Sequence, residues 1–233
     1  AFNATINDES NNYSLLAIQG PKAIDYCQNF TDVDLKGMKN YSHIKSKFID
    51  CNDILLSKTG YTGSDGLEIY IANKDVVNVW DSLFKFNNNE ILKPIGLAAR
   101  DTLRIEMGYC LYGNDINDNT SPIEAGLSWI TKPETECIGY EIFENQINNG
   151  VKKKLVGFKL KNRGIPRAGY KIYDSSHKKI GITTSGTFSP ILKKGIGLGY
   201  INIELLDVNN DIYIKIRDEF IESEIVKPPF IEI

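Results

Sequence analysis

Residues Asp211-Ile212-Tyr213-Ile214-Lys215-Ile216-Arg217 alternate strictly, with three isoleucines on one side and Tyr213, Lys215 and Arg217 on the other. Side chains of a strand point to opposite faces in turn, so this stretch reads as a strand with one buried and one wetted face. Working outward, segments 155–161, 170–173, 179–185, 196–201 and 221–226 have the same texture, are bounded by turn residues and show no helical period. Together they predict an all-β domain over residues 151–233.

Upstream the pattern is mixed. A short strand at 14–18 is stopped by Gln19-Gly20-Pro21, and 22–30 follows with helical spacing of Ile24, Cys27 and Phe30. Strands are expected at 45–49, 54–57 and 67–71, and an amphipathic helix at 74–86 with a stripe through Val76, Trp80, Leu83 and Phe84. Further helices are expected at 97–107, after the capping box Ser121-Pro122-Ile123-Glu124, and at 141–149 with Gly150 as its cap. The fold class is therefore α+β: an antiparallel-sheet portion over residues 1–150, followed by a β-barrel of jelly-roll-like kind.

The 233 residues carry 27 basic and 30 acidic side chains, a net charge of -3, which is too mild for the basic footprint of nucleic-acid binding. No apolar run approaches the roughly 18 residues of a membrane span. Cys27, Cys51, Cys110 and Cys137 stand far apart, without metal-ligand or redox spacing, so free thiols in a reducing, cytoplasmic compartment are expected. Two histidines, His43 and His177, leave little material for a zinc site or a histidine-based triad. The chain opens on Ala1 and a polar stretch, which reads as part of a longer protein.

The cations are 22 lysines and only five arginines, Arg100, Arg104, Arg163, Arg167 and Arg217. Where lysine is the default, arginine marks places that need a planar, bidentate fork. The segment Leu97-Ala98-Ala99-Arg100-Asp101-Thr102-Leu103-Arg104 is flanked by apolar residues and has little free face, so its arginines call for carboxylate partners. The loop Gly60-Tyr61-Thr62-Gly63-Ser64-Asp65-Gly66 lacks the Lys-Ser/Thr ending of a phosphate loop and leads into a strand. It reads either as a hairpin whose glycines adopt positive φ or as a close-approach wall with Tyr61 as a stacking surface. Glu68 just beyond it reads by position as a solvated strand residue.

Four segments in order narrow this further: Gly60-Tyr61-Thr62-Gly63-x-Asp65-Gly66-Leu67-Glu68, then Gly96 to Glu106, then Leu111-Tyr112-Gly113, then Thr184-Ser185-Gly186-Thr187-x-Ser189-Pro190. Over nearly the whole chain the sequence resembles the T-protein of the glycine cleavage system, the tetrahydrofolate-dependent aminomethyltransferase family. Ser64 stands where family members usually carry Glu. The resemblance implies that Tyr61, Glu68 and Arg100 line a folate site, with Tyr41 a further candidate, and that tetrahydrofolate is a co-substrate with no metal needed. It implies transfer of a one-carbon unit from the aminomethyl-lipoyl arm of H-protein to tetrahydrofolate, with release of ammonia, in the bacterial cytoplasm. The family chain extends upstream of Ala1 through a region holding the catalytic Asp, which no residue here matches, so the isolated chain is expected to be inactive. Glu68 and Arg100 are expected to face one cavity. The rival readings are another folate-dependent member of the superfamily, such as a demethylase, and a non-catalytic folate-binding or docking module.

Overall fold

The computed structural model describes residues 3–86, 91–205 and 211–232. The chain divides into two compact units, Ala1–Gly96 and Leu97–Ile233.

The first unit is built on a four-stranded antiparallel sheet. Its strands are β1 (Tyr13–Gln19), β2 (His43–Phe48), β3 (Cys51–Ser57) and β4 (Gly66–Ala72), in the order β1-β4-β3-β2. β1 and β4 pair without interruption from Tyr13 against Ala72 to Gln19 against Gly66. On β4 the period of two places Leu67, Ile69 and Ile71 in the core, each fully buried, while Glu68 and Tyr70 take the other face. The core face is covered by α1 (Ala23–Cys27), which contributes Ile24 and Cys27, and by α2 (Val76–Lys85), which contributes Val79 and Leu83. Tyr26 ties the two helices together, its hydroxyl donating to the Leu83 carbonyl at 2.5 Å.

The helix at 76–85 forms as expected, but its buried stripe runs through Val79 and Leu83 and not through Trp80, which is exposed. Trp80 is one residue beyond Val79, about 100° round the helix, and so falls on the flank. There it packs on Phe84 one turn later, with ring centroids 4.8 Å apart.

The second unit starts with α3 (Leu97–Glu106) and, after a long irregular stretch, α4 (Tyr140–Asn149). The capping box at Ser121 is present in both directions: the Glu124 N–H donates to Ser121 Oγ at 3.0 Å and the Ser121 N–H to Glu124 Oε2 at 3.2 Å. It opens a single turn and no helix, because Gly126 takes φ +75 and turns the chain away.

Six antiparallel strands then close into a barrel. They are β5 (Lys153–Leu160), β6 (Lys171–Tyr173), β7 (Lys179–Ser189), β8 (Lys194–Asn202), β9 (Asp211–Ile216) and β10 (Glu219–Val226), in the order β10-β5-β8-β7-β6-β9. β9 pairs with β10, so the sheet has no free edge. The alternating isoleucines do what their period predicts: Ile212 and Ile214 are fully buried with Phe158, Leu160, Ile172 and Ile201. Gly197 is required by close approach, since a Cβ there would stand 2.6 Å from the Phe158 ring and 2.7 Å from the Ser185 carbonyl oxygen.

Candidate functional site

In the first unit the Gly-rich loop joins β3 to β4 and folds around one side chain, Gln19 at the end of β1. Its Nε2 donates to the carbonyls of Thr59 (3.1 Å) and Leu67 (3.2 Å), and its Oε1 accepts from Thr62 Oγ1 at 3.3 Å. Gly60 and Gly66 are required by the loop's own packing, since an added Cβ there would lie within 2.6 Å of the Gln19 side chain. Gly63, at φ +79, supplies the positive-φ turn.

Glu68 is half-buried on the sheet face opposite the core. Thr59 Oγ1 donates to Glu68 Oε2 at 2.5 Å and lies 3.0 Å from Ser57 Oγ. The carboxylate is thus held by the Thr59 hydroxyl and stands directly across from Ser57 and Ala17 in the sheet. This differs from a freely solvated strand position. Tyr61 is half-buried in the loop itself. Tyr41 is exposed at φ 62, and its N–H donates to the Lys58 carbonyl at 3.0 Å, which ties its turn to the start of the same loop. Three of the four candidate residues therefore belong to one end of one sheet.

Arg100 belongs to the second unit and is exposed. The expectation of a largely buried helix is corrected here: the first turn of α3 stands clear, with Leu97 85% exposed, and only Arg104, Ile105 and Glu106 are buried. The helix meets β7 through Thr102, Arg104 and Glu106. The arginine that needs carboxylate partners is Arg104, at 2% exposure.

Arg104 lies at the centre of a polar network. Its Nη1 donates to Asp115 Oδ2 at 2.7 Å and to the Tyr109 carbonyl at 3.1 Å. Its Nη2 donates to Ser185 Oγ at 2.8 Å, and its Nε to Asp101 Oδ1 at 2.8 Å. Asp115 is satisfied further by Thr184 Oγ1 (2.5 Å) and the Leu111 N–H (2.9 Å), while its carbonyl accepts from the Tyr200 hydroxyl at 2.9 Å. Burial pushes the Cys110 thiol up to about 11, with Asp115 adding to the rise and Arg104 opposing it.

Two of the motifs meet in this network. A bulge between Thr183 and Ser185 resets the register of β7. Beyond it, alternate residues Ser185, Thr187 and Ser189 bond to Arg104, Thr102 (3.1 Å) and Glu106 (2.5 Å) on α3. The reading of the residues did not find this pairing. Its signal was present in Ser185, Thr187 and Ser189, polar residues at a spacing of two in a strand whose outer face is covered.

Among the described residues no group of three or more His, Cys, Asp and Glu could hold a metal ion, and no helix is long and apolar enough to cross a membrane. The four cysteines form no disulfide. A separate cleft of about 210 Å³ lies between β1 and α1, lined by Gln19, Gly20, Tyr26 and Ile91 among others. It contains neither Tyr61 nor Glu68 and is below the ~300 Å³ at which small-molecule sites begin.

The GCVT N-terminal domain family model matches residues 1–135, and the glycine cleavage T-protein C-terminal barrel domain model matches residues 153–232. The aminomethyltransferase of Flavobacterium psychrophilum is 50% identical over 221 residues, which cover 95% of this chain and 61% of the relative. That of Porphyromonas gingivalis is 48% identical over 230 residues, covering 97% of this chain and 64% of the relative. The chain thus spans less than two thirds of the length of these curated relatives. The crystal structure of glycine cleavage system aminomethyltransferase T from Bartonella henselae superposes with a TM-score of 0.71 at 22% identity, over 94% of this chain and 84% of that one, and shares its fold.

Proposed function

The chain belongs to the glycine cleavage T-protein family of aminomethyltransferases, and from that premise we propose that it forms the folate-binding part of such an enzyme. The reaction we assign is transfer of a one-carbon unit from the aminomethyl-lipoyl arm of H-protein to tetrahydrofolate, with ammonia released and 5,10-methylenetetrahydrofolate formed. In this reading residues 1–150 serve folate binding, residues 151–233 form the C-terminal barrel domain of the family, and the enzyme works in the bacterial cytoplasm.

The observation that carries the reading is the Glu68 carboxylate, half-buried on β4 with Oε2 fixed by Thr59 at 2.5 Å beside the Tyr61 loop. A pterin edge presents adjacent N–H donors, and a carboxylate that is already oriented accepts from them with little loss of side-chain freedom. The donor set fits: Glu68 takes the pterin edge, Tyr61 offers an aromatic face for the ring, and Tyr41 stands on the neighbouring turn. Arg100, on the second unit, is a candidate by the resemblance alone, and its planar fork suits a carboxylate.

What these residues do is positioning. Glu68 fixes the orientation of the ring system, and Tyr61 with the close-packed glycines excludes water from one side of it. Holding a nucleophilic nitrogen against its partner carbon accounts for a large share of the barrier when no covalent enzyme intermediate is formed. The carboxylate that would stabilise developing positive charge at the reacting carbon is assigned to a part of the family chain outside these 233 residues, so catalysis by the chain alone is expected to be weak.

The test is a titration of tetrahydrofolate into the chain, followed by assay of methylenetetrahydrofolate formation from aminomethylated H-protein. Saturable binding with turnover at least tenfold below that of the Flavobacterium psychrophilum relative is the expected result. No binding would sink the folate assignment, and turnover within tenfold would show that a residue here carries the missing role.

A further inference from the structure

The end of β1 is tied to the Gly-rich loop twice over. The backbone does it once, since the Gly20 N–H donates to the Asp65 carbonyl at 2.9 Å. Gln19 adds a side-chain amide packed between Gly60 and Gly66. Its Nε2 faces the carbonyl oxygens of Thr59 and Leu67, and its Oε1 faces the Thr62 hydroxyl, which accepts in turn from the Ser64 N–H at 3.3 Å. Two carbonyls need two donor protons and the hydroxyl proton needs an acceptor. A primary amide supplies both, whereas a carboxylate or an apolar side chain of the same length does not.

The residues that Gln19 holds are the neighbours of those assigned to the ligand. Thr59 carries the hydroxyl that donates to Glu68 Oε2, Leu67 precedes Glu68 in β4, and Thr62 follows Tyr61. One nitrogen therefore fixes the Glu68 carboxylate from two sides, through the strand residue before it and through the residue whose hydroxyl orients it. We propose that Gln19 is a positioning residue of the folate site, setting the direction of the Glu68 carboxylate through Thr59 and Leu67 and the place of the Tyr61 ring through Thr62. This rests on the assignment of Glu68 to a pterin edge and adds to it a residue outside the loop. A carboxylate that loses its support samples several rotamers, and a ligand that must freeze it again binds about 3- to 10-fold more weakly.

The experiment compares the parent chain with Gln19→Met, which keeps the length and drops both donor and acceptor, and with Gln19→Glu, which keeps the shape and loses the donor protons. Calorimetric titration with tetrahydrofolate should show a loss of about threefold or more in both variants. The Gln19→Met loss should shrink in a Thr59→Val background, because part of the effect passes through that hydroxyl. Tyr26→Phe, which removes the hydrogen bond to the Leu83 carbonyl, should lower the urea midpoint of the first unit and leave the affinity unchanged, which separates positioning from stability. Without folate, three-bond carbon–carbon couplings of Glu68 should report one rotamer in the parent and averaging in both Gln19 variants. The role of Gln19 is overturned if either folded variant binds as tightly as the parent, if the Gln19 and Thr59 losses add in full, if affinity follows the urea midpoint through all variants, or if Glu68 keeps one rotamer without Gln19. A parent chain that binds no tetrahydrofolate sinks the folate assignment instead, and the Glu68 couplings still decide whether Gln19 directs that carboxylate.

Discussion

Arg104 Nη1 lies 2.7 Å from Asp115 Oδ2 with both side chains almost wholly buried, so the two charges depend on each other and on the hydroxyls of Ser185 and Thr184. Removing one partner of such a pair leaves the other charge buried without compensation, which typically costs about 3–5 kcal/mol. Arg104→Met is therefore expected to destabilise the second unit by about that amount, measured by urea denaturation followed at Trp129. Arg104→Met combined with Asp115→Leu should cost less than the single change, since no charge is then stranded. A single-variant loss below about 1 kcal/mol would show that the network is solvated and not structural.

The barrel was legible because its evidence is local. Ile212, Ile214 and Ile216 announce a half-buried strand within five residues, and Gly150 announces the end of α4. The misread features depended on what packs where. Trp80 differs from Val79 by one position, and only the placement of α2 on the sheet decides which of them is buried. Ser121 and Glu124 formed their capping box, but Gly126 two residues later outweighed it. Arg100 and Arg104 look alike in the sequence, four residues apart on one helix. They differ because Arg104 reaches Ser185 on β7, and the polar spacing of Ser185, Thr187 and Ser189 marks a covered strand face without marking which arginine meets it. For the folate residues, Glu68 and Tyr61 were named from a resemblance. The Thr59 hydroxyl that orients Glu68 was not named, although Thr59 belongs to the same loop.

Glu68→Gln keeps the shape of the side chain but replaces one acceptor oxygen with an amide donor that faces the donors of a pterin. Tetrahydrofolate affinity for the chain should fall by about 1–3 kcal/mol, the range for a hydrogen bond to a charged group. Thr59→Val removes the hydroxyl that holds Oε2 and leaves the charge, so a smaller loss is expected, with the carboxylate free to rotate. Calorimetric titration of the parent and both variants checks the order. Equal affinity in Glu68→Gln would remove Glu68 from the site.

Burial pushes the Cys27 thiol up to about 12 from an ordinary 9.0. The folded state then holds a proton that the unfolded chain releases above about pH 9, so the stabilisation is complete below pH 9 and is lost as pH rises toward 12. The slope for this one group is about 1.4 kcal/mol per pH unit within that window. Urea midpoints of the first unit at about pH 8 and about pH 10.5 should show a steeper decline in the parent than in Cys27→Ala, in which that proton is absent. Parallel declines would mean that Cys27 ionises as easily folded as unfolded. At pH 8 an alkylating reagent should leave Cys27 and Cys110 unmodified until urea is added, because both thiols are held neutral.

Gly60 and Gly66 both crowd Gln19, but a methyl group would meet different atoms at the two positions. At Gly60 it would lie 1.9 Å from Gln19 Oε1, the far end of a side chain that can swing away. At Gly66 it would lie 2.4 Å from the Ile18 carbonyl oxygen, which is fixed in the β1–β4 ladder. Gly66 is not in the positive-φ region, so the obstacle there is steric and not conformational. Gly66→Ala should therefore cost about 1–3 kcal/mol, as overpacking does, with or without Gln19. Gly60→Ala should be costly beside Gln19 and nearly free in a Gln19→Ala background, a coupling of about 0.5–3 kcal/mol for residues in direct contact. Four denaturation curves complete that cycle, and a fifth and sixth test Gly66→Ala in both backgrounds. If Gln19→Ala relieves both glycine substitutions equally, the Ile18 carbonyl yields as readily as the glutamine side chain, and the loop is not fixed to β1 by its backbone.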